Sequence, residues 1–349
     1  MEKENIGDSG SKLLYLFISI IVIFLLIGLL LFNYKDTLSG YKILSSKNEI
    51  IKIGIIKWNT NSEFDRNIRG FKDSLTEAGY VEGQNVRYIE GFSNSDRNKH
   101  LEIARGFTNN KKVDLIYSLT TPGTLMVKTV TDKIPIVFSV VNYPVESEII
   151  NSLEDSGNNL VGTRNYIPVS EQFSVFESVY PNIKTLGFAH RNGEPNSEIQ
   201  LREFKNILDK RNIKIIDMGA IDTDGLVVNL QDKINEADAI YLACDTLISS
   251  GGDKAIIEFN RNKGYNKPIF SCNKDGIIAG ALIGNVADFY DLGKISGEKA
   301  VLILKGAEPS WLLTESSRKR GIVINIKTAA EIKISIPEDI LNNADKVES

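Results

Sequence analysis

One pattern occurs twice in this chain and limits what it can fold into. Asp114-Leu-Ile-Tyr-Ser-Leu is followed by Ile134-Pro-Ile-Val-Phe-Ser, and Asp238-Ala-Ile-Tyr-Leu-Ala by Lys267-Pro-Ile-Phe-Ser-Cys. Each time an acidic residue opens a short apolar run, a helix-length polar segment intervenes, and Pro introduces a second run. Apolar runs separated by helical patterns read as buried strands of a parallel sheet. Two such halves give an α/β chain of two lobes with a cleft between them, and ligands of open α/β sheets settle at the carboxyl ends of the strands.

The first 50 residues are of another kind. Leu13 to Phe32 is an uncharged run of 20 residues, long enough as a helix to cross roughly 30 Å of hydrocarbon. It ends in Leu31-Phe32-Asn33-Tyr34 with no small-residue cleavage pattern, so it reads as an uncleaved transmembrane anchor rather than a signal peptide. Residues 1–12 form a short tail expected on the cytoplasmic side, and 33–48 a polar tether. Lys3 and Lys12 face Lys35, Lys42 and Lys47 across the run, so the positive-inside rule leaves orientation undecided.

The remaining 300 or so residues suit two lobes: 49–160 with 276–310 as one, and 161–275 with 311–349 as the other. The formal charge of -4, with both signs interspersed, excludes a nucleic-acid footprint. Cys244 and Cys272 read as small buried apolar residues. A bridge stays open, because nothing in the sequence fixes their separation. His100 and His190 lie near no nucleophile elbow, no H-E-x-x-H occurs, and no phosphate loop ends in Lys-Ser or Lys-Thr, so neither an enzyme, a metal nor a cofactor is expected.

Spacing places strands at 51–56, 86–89, 115–119, 136–141, 185–189, 213–218, 239–244, 269–272, 281–284 and 322–326. Helices are expected between them, the first carrying Phe64, Ile68, Phe71 and Leu75 on one face. Thr121-Pro122-Gly123 puts Pro in a first helical turn just beyond a strand, leaving backbone N–H groups free at the cleft.

The stretches GYVEGQNVRYIEG from Gly79, VDLIYSLTTPGT from Val113, KIPIVFSVVNYPV from Lys133, NNLVGT from Asn158, ADAIYLACDT from Ala237, KPIFSCNKDGIIAGAL from Lys267, DLGKISGEKAVLILKGAEPS from Asp291 and VINIKTAAEIKISIPEDIL from Val323 resemble, in order, the tryptophan- and tyrosine-type substrate-binding proteins of ABC transporters. The resemblance implies a type I periplasmic-binding-protein fold, two Rossmann-like lobes joined by three crossing strands. It also implies a small-molecule ligand, and an ABC permease with its ATPase as partners. The large domain would then be extracytoplasmic on a single-pass anchor in the cell membrane. The chain departs from the family at Asn142-Tyr143-Pro144, where an Asp-Pro pair is common, at Ser156-Gly157-Asn158-Asn159, and in having a helix in place of a lipidated cysteine. The rival reading of the same domain is a ligand-sensing receptor acting through a partner, although only 12 residues precede the apolar run.

An amino-acid site needs donors for a carboxylate, an acceptor for an ammonium and a shaped pocket. Thr120, Thr121 and the N–H groups after Pro122 are the carboxylate candidates, with Ser139 as helper, unless they merely cap the helix. Asp245 resembles the family's strand-end aspartate and is the expected ammonium partner, though an N-cap would look the same. Trp58, Asn59, Asn142 and Tyr143 could present aromatic faces and amides, or be core. His190, Asn192, Glu194 and Asn196 follow the first strand of the second lobe and could reach across the gap, or be solvated. Asn273, Asp275 and Gly276 are expected at one crossing strand and Thr163 with Arg164 at another. There Arg164 could clamp a carboxylate or, as the readier role, pair with a neighbouring acid.

Overall fold

The computed structural model describes residues 50–59, 61–109 and 112–348. The apolar run at 13–32 lies outside them. Among the described residues no helix is long and apolar enough to cross a membrane.

In the first lobe β1 (Ile51–Lys57), α1 (Ser62–Glu77), β2 (Val86–Phe92), α2 (Arg97–Asn109), β3 (Leu115–Leu119), α3 (Thr121–Lys128), β4 (Ile136–Ser139) and β5 (Leu160–Arg164) alternate. The second lobe follows with α4 (Val169–Val179), β6 (Thr185–Ala189), α5 (Pro195–Asp209), β7 (Lys214–Asp217), α6 (Thr223–Lys233), β8 (Ala239–Leu242), α7 (Gly252–Asn262), β9 (Ile269–Ser271), α8 (Lys274–Ala279) and β10 (Ile283–Ala287). The chain closes with α9 (Phe289–Leu304), β11 (Glu315–Ser316), β12 (Arg320–Asn325), α10 (Ile326–Glu331), α11 (Glu338–Asn343) and β13 (Asp345–Val347).

The sheets run β11-β5-β4-β3-β1-β2 and β13-β12-β10-β9-β8-β6-β7. Both repeat one doubly wound order, the second strand outermost and then the first, third, fourth and fifth. All pairings are parallel except β10 with β12. Every residue of β3, β4, β8 and β9 is buried, as expected of strands covered on both faces by helices.

The chain crosses between sheets at 165–168, at Asp288 and at 317–319, giving the three crossings of the type I arrangement. Their positions correct the expected lobe boundaries. β10, at 283–287, belongs to the second sheet because Ile283 pairs with Phe270 and the strand also pairs with β12, so only α9 returns to the first lobe. β5 continues to Arg164 and β11 adds to it in parallel, which moves 161–164 and 315–316 into the first lobe. Asn273, Asp275 and Gly276 are consequently not at a crossing. Asn273 is the N-cap residue of α8, inside the second lobe. α4 was not expected from periodicity: its pattern opens directly after Pro168, and it buries Phe173 and Phe176 in the second core.

Packing in the first lobe explains its glycines. α1 starts at Asn61, whose side chain caps Phe64 N, and buries Phe64, Ile68, Phe71 and Leu75 at roughly 1.5–3 kcal/mol for each such side chain. α9 lies against it backbone to backbone. A Cβ on Gly70 would sit 2.2 Å from Tyr290 O, and one on Gly293 1.9 Å from Asn67 O. This contact draws α9 into the first lobe.

Cys244 and Cys272 are bridged, with Cα atoms 5.7 Å apart, so the reading of two separate buried thiols is replaced by a disulfide. Parallel pairing of β8 with β9 sets these strand-end residues side by side, within bridging distance.

Candidate functional site

The carboxyl ends of both sheets face one cleft, and the two lobes touch across it. Asn59 donates to Thr246 O at 3.1 Å and also meets Ser250 Oγ. Asn61 reaches Ser249 O at 3.3 Å, Ser62 reaches Asp275 Oδ1 at 2.7 Å, and Tyr143 O–H reaches Glu203 Oε2 at 2.6 Å. Asn142 donates to Cys244 O at 3.2 Å. Side chains just beyond β1 and β4 and at the start of α1 thus hold the segments after β8 and β9 and Glu203 of α5, and the cleft is closed.

Inside lies a small void of about 30 Å³ lined by Phe64, Thr120, Thr121, Asn142, Glu194 and Asp245 among others, space for a water or two. Its acceptors stand out. Glu194 is 4 % exposed, and its carboxylate accepts from Thr246 N at 3.2 Å and from Thr246 Oγ1 at 2.5 Å. Asp245 is equally buried and accepts from Arg191 N at 2.7 Å, Leu247 N at 3.0 Å and Ile248 N at 2.9 Å. Burial pushes the Glu194 carboxyl well up, and the Asp245 charge adds to this. Asp245 is also raised by burial, against the pull of its backbone donors. Asn142 and Asn196 both donate their amide nitrogen to Cys244 O, which fixes their orientation. Each Oδ1 is left buried without a partner, as is that of Asn165. Uncompensated buried acceptors are costly. Here they line one void.

Opposite lie the donors. Thr120 follows β3 at φ 74° and Val140 follows β4 at φ 57°, a conformation costing about 1–3 kcal/mol per residue that clusters at functional sites. Thr120 and Thr121, at the start of α3, line the void, and Thr120 Oγ1 takes Gly123 N at 3.4 Å. A second and larger chamber of about 560 Å³ borders the first, with Glu194 and Thr246 lining both and Trp58, Arg97, Leu125, Met126 and Arg191 lining the outer one.

Sequence candidates divide accordingly. Thr120, Thr121, Asn142, Asp245 and Asn273 line the inner void, Trp58 lines the outer chamber, and Asn59 and Asp275 latch the lobes together. Ser139 and Thr163 do not reach the cleft. Asn67 donates to Ser139 Oγ at 2.9 Å, Ser139 and Thr163 share a hydroxyl bond of 2.8 Å, and Thr163 continues to Ser296 Oγ at 2.9 Å. Small hydroxyls at strand ends look alike in sequence whether they face the cleft or α9. Tyr143 stacks edge-on with Tyr166 and holds Glu203, and Arg164 bonds Ser316 Oγ at 3.1 Å beneath the Tyr166 ring. His190 is buried on Asp217 at 2.9 Å. Burial opposes its charge, but the Asp217 bond raises its pKa, and Asp217 in turn is held down to about 2 by that bond. Asn192 is exposed. Glu194, expected either to reach across the gap or to be solvated, is the acid that both chambers share, and Pro195 starts α5 directly after it.

The model of the family described as ABC transporter substrate binding protein matches residues 52–348. The chain belongs to that family. Its members bind a solute and catalyse nothing. Within this ABC substrate-binding family the chain is similar to the "Tyrosine-binding protein" of Clostridioides difficile, 28% identical over 276 residues that cover 79% of each chain. It is 27% identical to a Streptococcus pneumonia ABC domain solved in complex with L-Trp, covering 86% of this chain and 100% of that one with a TM-score of 0.81. A conserved domain protein of Vibrio cholerae is 25% identical over 85% of this chain and 99% of its own, also with a TM-score of 0.81. The substrate-binding fold, two lobes around a cleft, is therefore common to all three structures.

Proposed function

We propose that this substrate-binding protein captures an α-amino acid with an aromatic side chain in the interlobe cleft and delivers it to an ABC permease and its ATPase. The observation that carries the reading is the polarity of the inner void. The Glu194 carboxylate and the unpartnered Oδ1 atoms of Asn142 and Asn196 form an acceptor set for an ammonium, facing the hydroxyls of Thr120 and Thr121 and the first turn of α3, which suit a carboxylate. Asp245, whose carboxylate already takes three backbone N–H groups, adds negative charge while holding its own loop. Trp58 in the adjoining chamber supplies an aromatic wall. The amino acids in the names of the two relatives, tyrosine and L-Trp, support the class.

The uncharged run at 13–32 then serves as a membrane anchor, with the cytoplasm on the side of residues 1–12 and the lobes outside. Protease added to intact cells removes the lobes in this arrangement; a protected domain contradicts it. Mass spectrometry of small molecules released on denaturing the purified protein tests the ligand class. An aromatic amino acid is expected, and a released sugar or lipid would overturn the reading.

A further inference from the structure

The inner void accounts for the two ends of an α-amino acid but leaves the outer chamber unexplained. That chamber is lined by Trp58, Leu101, Leu125 and Met126 from the first lobe and by Arg191 and Pro195 from the second, with Arg97 beside them. Its volume of about 560 Å³ falls in the range of sites for whole small ligands, more than a single unsubstituted ring needs.

Its chemistry is the reverse of the inner void's. The carboxylate among its lining residues is that of Glu194, whose two oxygens are turned to Thr246. Arg97 is exposed and has no ion pair among the described residues, and the Arg191 guanidinium touches only Thr246 Oγ1, at 3.4 Å. Trp58 is 5 % exposed, yet its indole N–H has no acceptor. The Arg97 guanidinium and the Trp58 indole N–H thus border the chamber without an acceptor among the described residues, beside an Arg191 held by one long bond to Thr246, and a buried indole N–H ordinarily has a partner. Acceptors lie inside and donors outside, along one path through Glu194 and Thr246.

We propose that the preferred ligand is an aromatic amino acid whose ring carries a distal negative charge, its α-ammonium at Glu194 and its distal anion between Arg97 and Arg191 near the Trp58 indole. This rests on the reading of the cleft as an amino-acid site. Arginine suits a distal carboxylate or phosphate because its planar fork can pair two oxygens at once, and residues from both lobes would meet on that group.

Titration calorimetry of the full chain with L-phenylalanine, its 4-carboxy derivative and its 4-aminomethyl derivative tests the sign of the distal charge. The carboxy compound is expected to bind at least about fivefold more tightly than phenylalanine, as for one added charge pair, and the aminomethyl compound more weakly. Arg97→Gln, a change at an exposed side chain, should remove the advantage of the carboxy compound and leave phenylalanine binding as it was. Equal or weaker binding of the carboxy compound, or an advantage that survives Arg97→Gln, overturns the inference while the amino-acid reading stands. If none of the three compounds binds, the amino-acid reading itself fails and this inference falls with it.

Discussion

Asn142 of the first lobe and Asn196 of the second donate to the same backbone oxygen, that of Cys244. The closed cleft therefore holds a three-way junction beside the void and leaves both amide oxygens buried without a partner. On the proposed reading a ligand ammonium would satisfy both of them together with Glu194, and binding would be coupled to closure. Asn142→Ala removes the first-lobe arm of this junction. We expect a loss of affinity of about 1–3 kcal/mol for the lost bond and its orphaned partner, together with a larger radius of gyration by small-angle scattering at subsaturating ligand. An unchanged radius and affinity would show that the junction does not couple the lobes.

The network behind β4 makes the opposite prediction. Ser139 links Asn67 to Thr163 and lies fully buried, away from the void. Ser139→Ala should lower stability by about 1–3 kcal/mol, because it strands buried donors, and leave ligand affinity unchanged. Urea unfolding and calorimetry on the same variant separate the two effects; lost affinity at full stability would return Ser139 to the ligand site.

The disulfide ties the ends of β8 and β9, closing a loop with a sequence separation of 28 residues. Loop-closure entropy on that scale is worth about 2–4 kcal/mol. Cys244 and Asn273 line the void and flank the bridge, so reduction should lower both the melting temperature and the affinity. Identical melting curves with and without reductant would mean that the thiols are unbridged.

Glu194 is one contributor to the pH dependence, beside Asp245 and Asp253, whose pKa burial also raises. Its folded pKa lies above the ordinary value of 4.5, from burial first and the Asp245 charge second, so the folded state holds a proton that the unfolded chain gives up. Below about pH 4.5 both states are protonated and no cost arises. As pH rises above that value the unfolded carboxylate ionises first, and stability falls until the folded group ionises as well. Unfolding at pH 5 and pH 8 should therefore show a larger loss for the wild type than for Glu194→Gln. Affinity for an ammonium runs the other way, rising with pH as Glu194 ionises. A ligand affinity that falls over the same range would count against ammonium pairing there.

The fold was legible because buried parallel strands announce themselves as apolar runs, and the two copies of the acidic-run-Pro pattern mark β3–β4 and β8–β9 in the two sheets. Crossing points were less so. Whether β10 pairs with β9 or returns to the first lobe depends on a few backbone bonds, and hydrophobicity does not encode them. The surroundings of the void were half legible: Thr120, Thr121, Asn142, Asp245 and Asn273 line it because they lie just beyond strand ends. Glu194 was left between cleft and solvent, because a charged residue in a loop is ordinarily solvated. Here Pro195 and the bonds to Thr246 bury it, and those bonds come from a loop about 50 residues away. The same blindness made Ser139 and Thr163 look like ligand donors.

The account turns on Glu194 as the ammonium acceptor. Calorimetry of the full chain with aromatic L-amino acids, wild type against Glu194→Gln, tests this most directly, since the amide keeps the shape and removes the charge. We predict that the wild type binds and that Glu194→Gln loses about 2–5 kcal/mol of affinity, the cost of truncating one partner of a buried charge pair, with its fold intact by circular dichroism. Equal affinity in the two proteins, or no binding of any amino acid to the wild type, would contradict it.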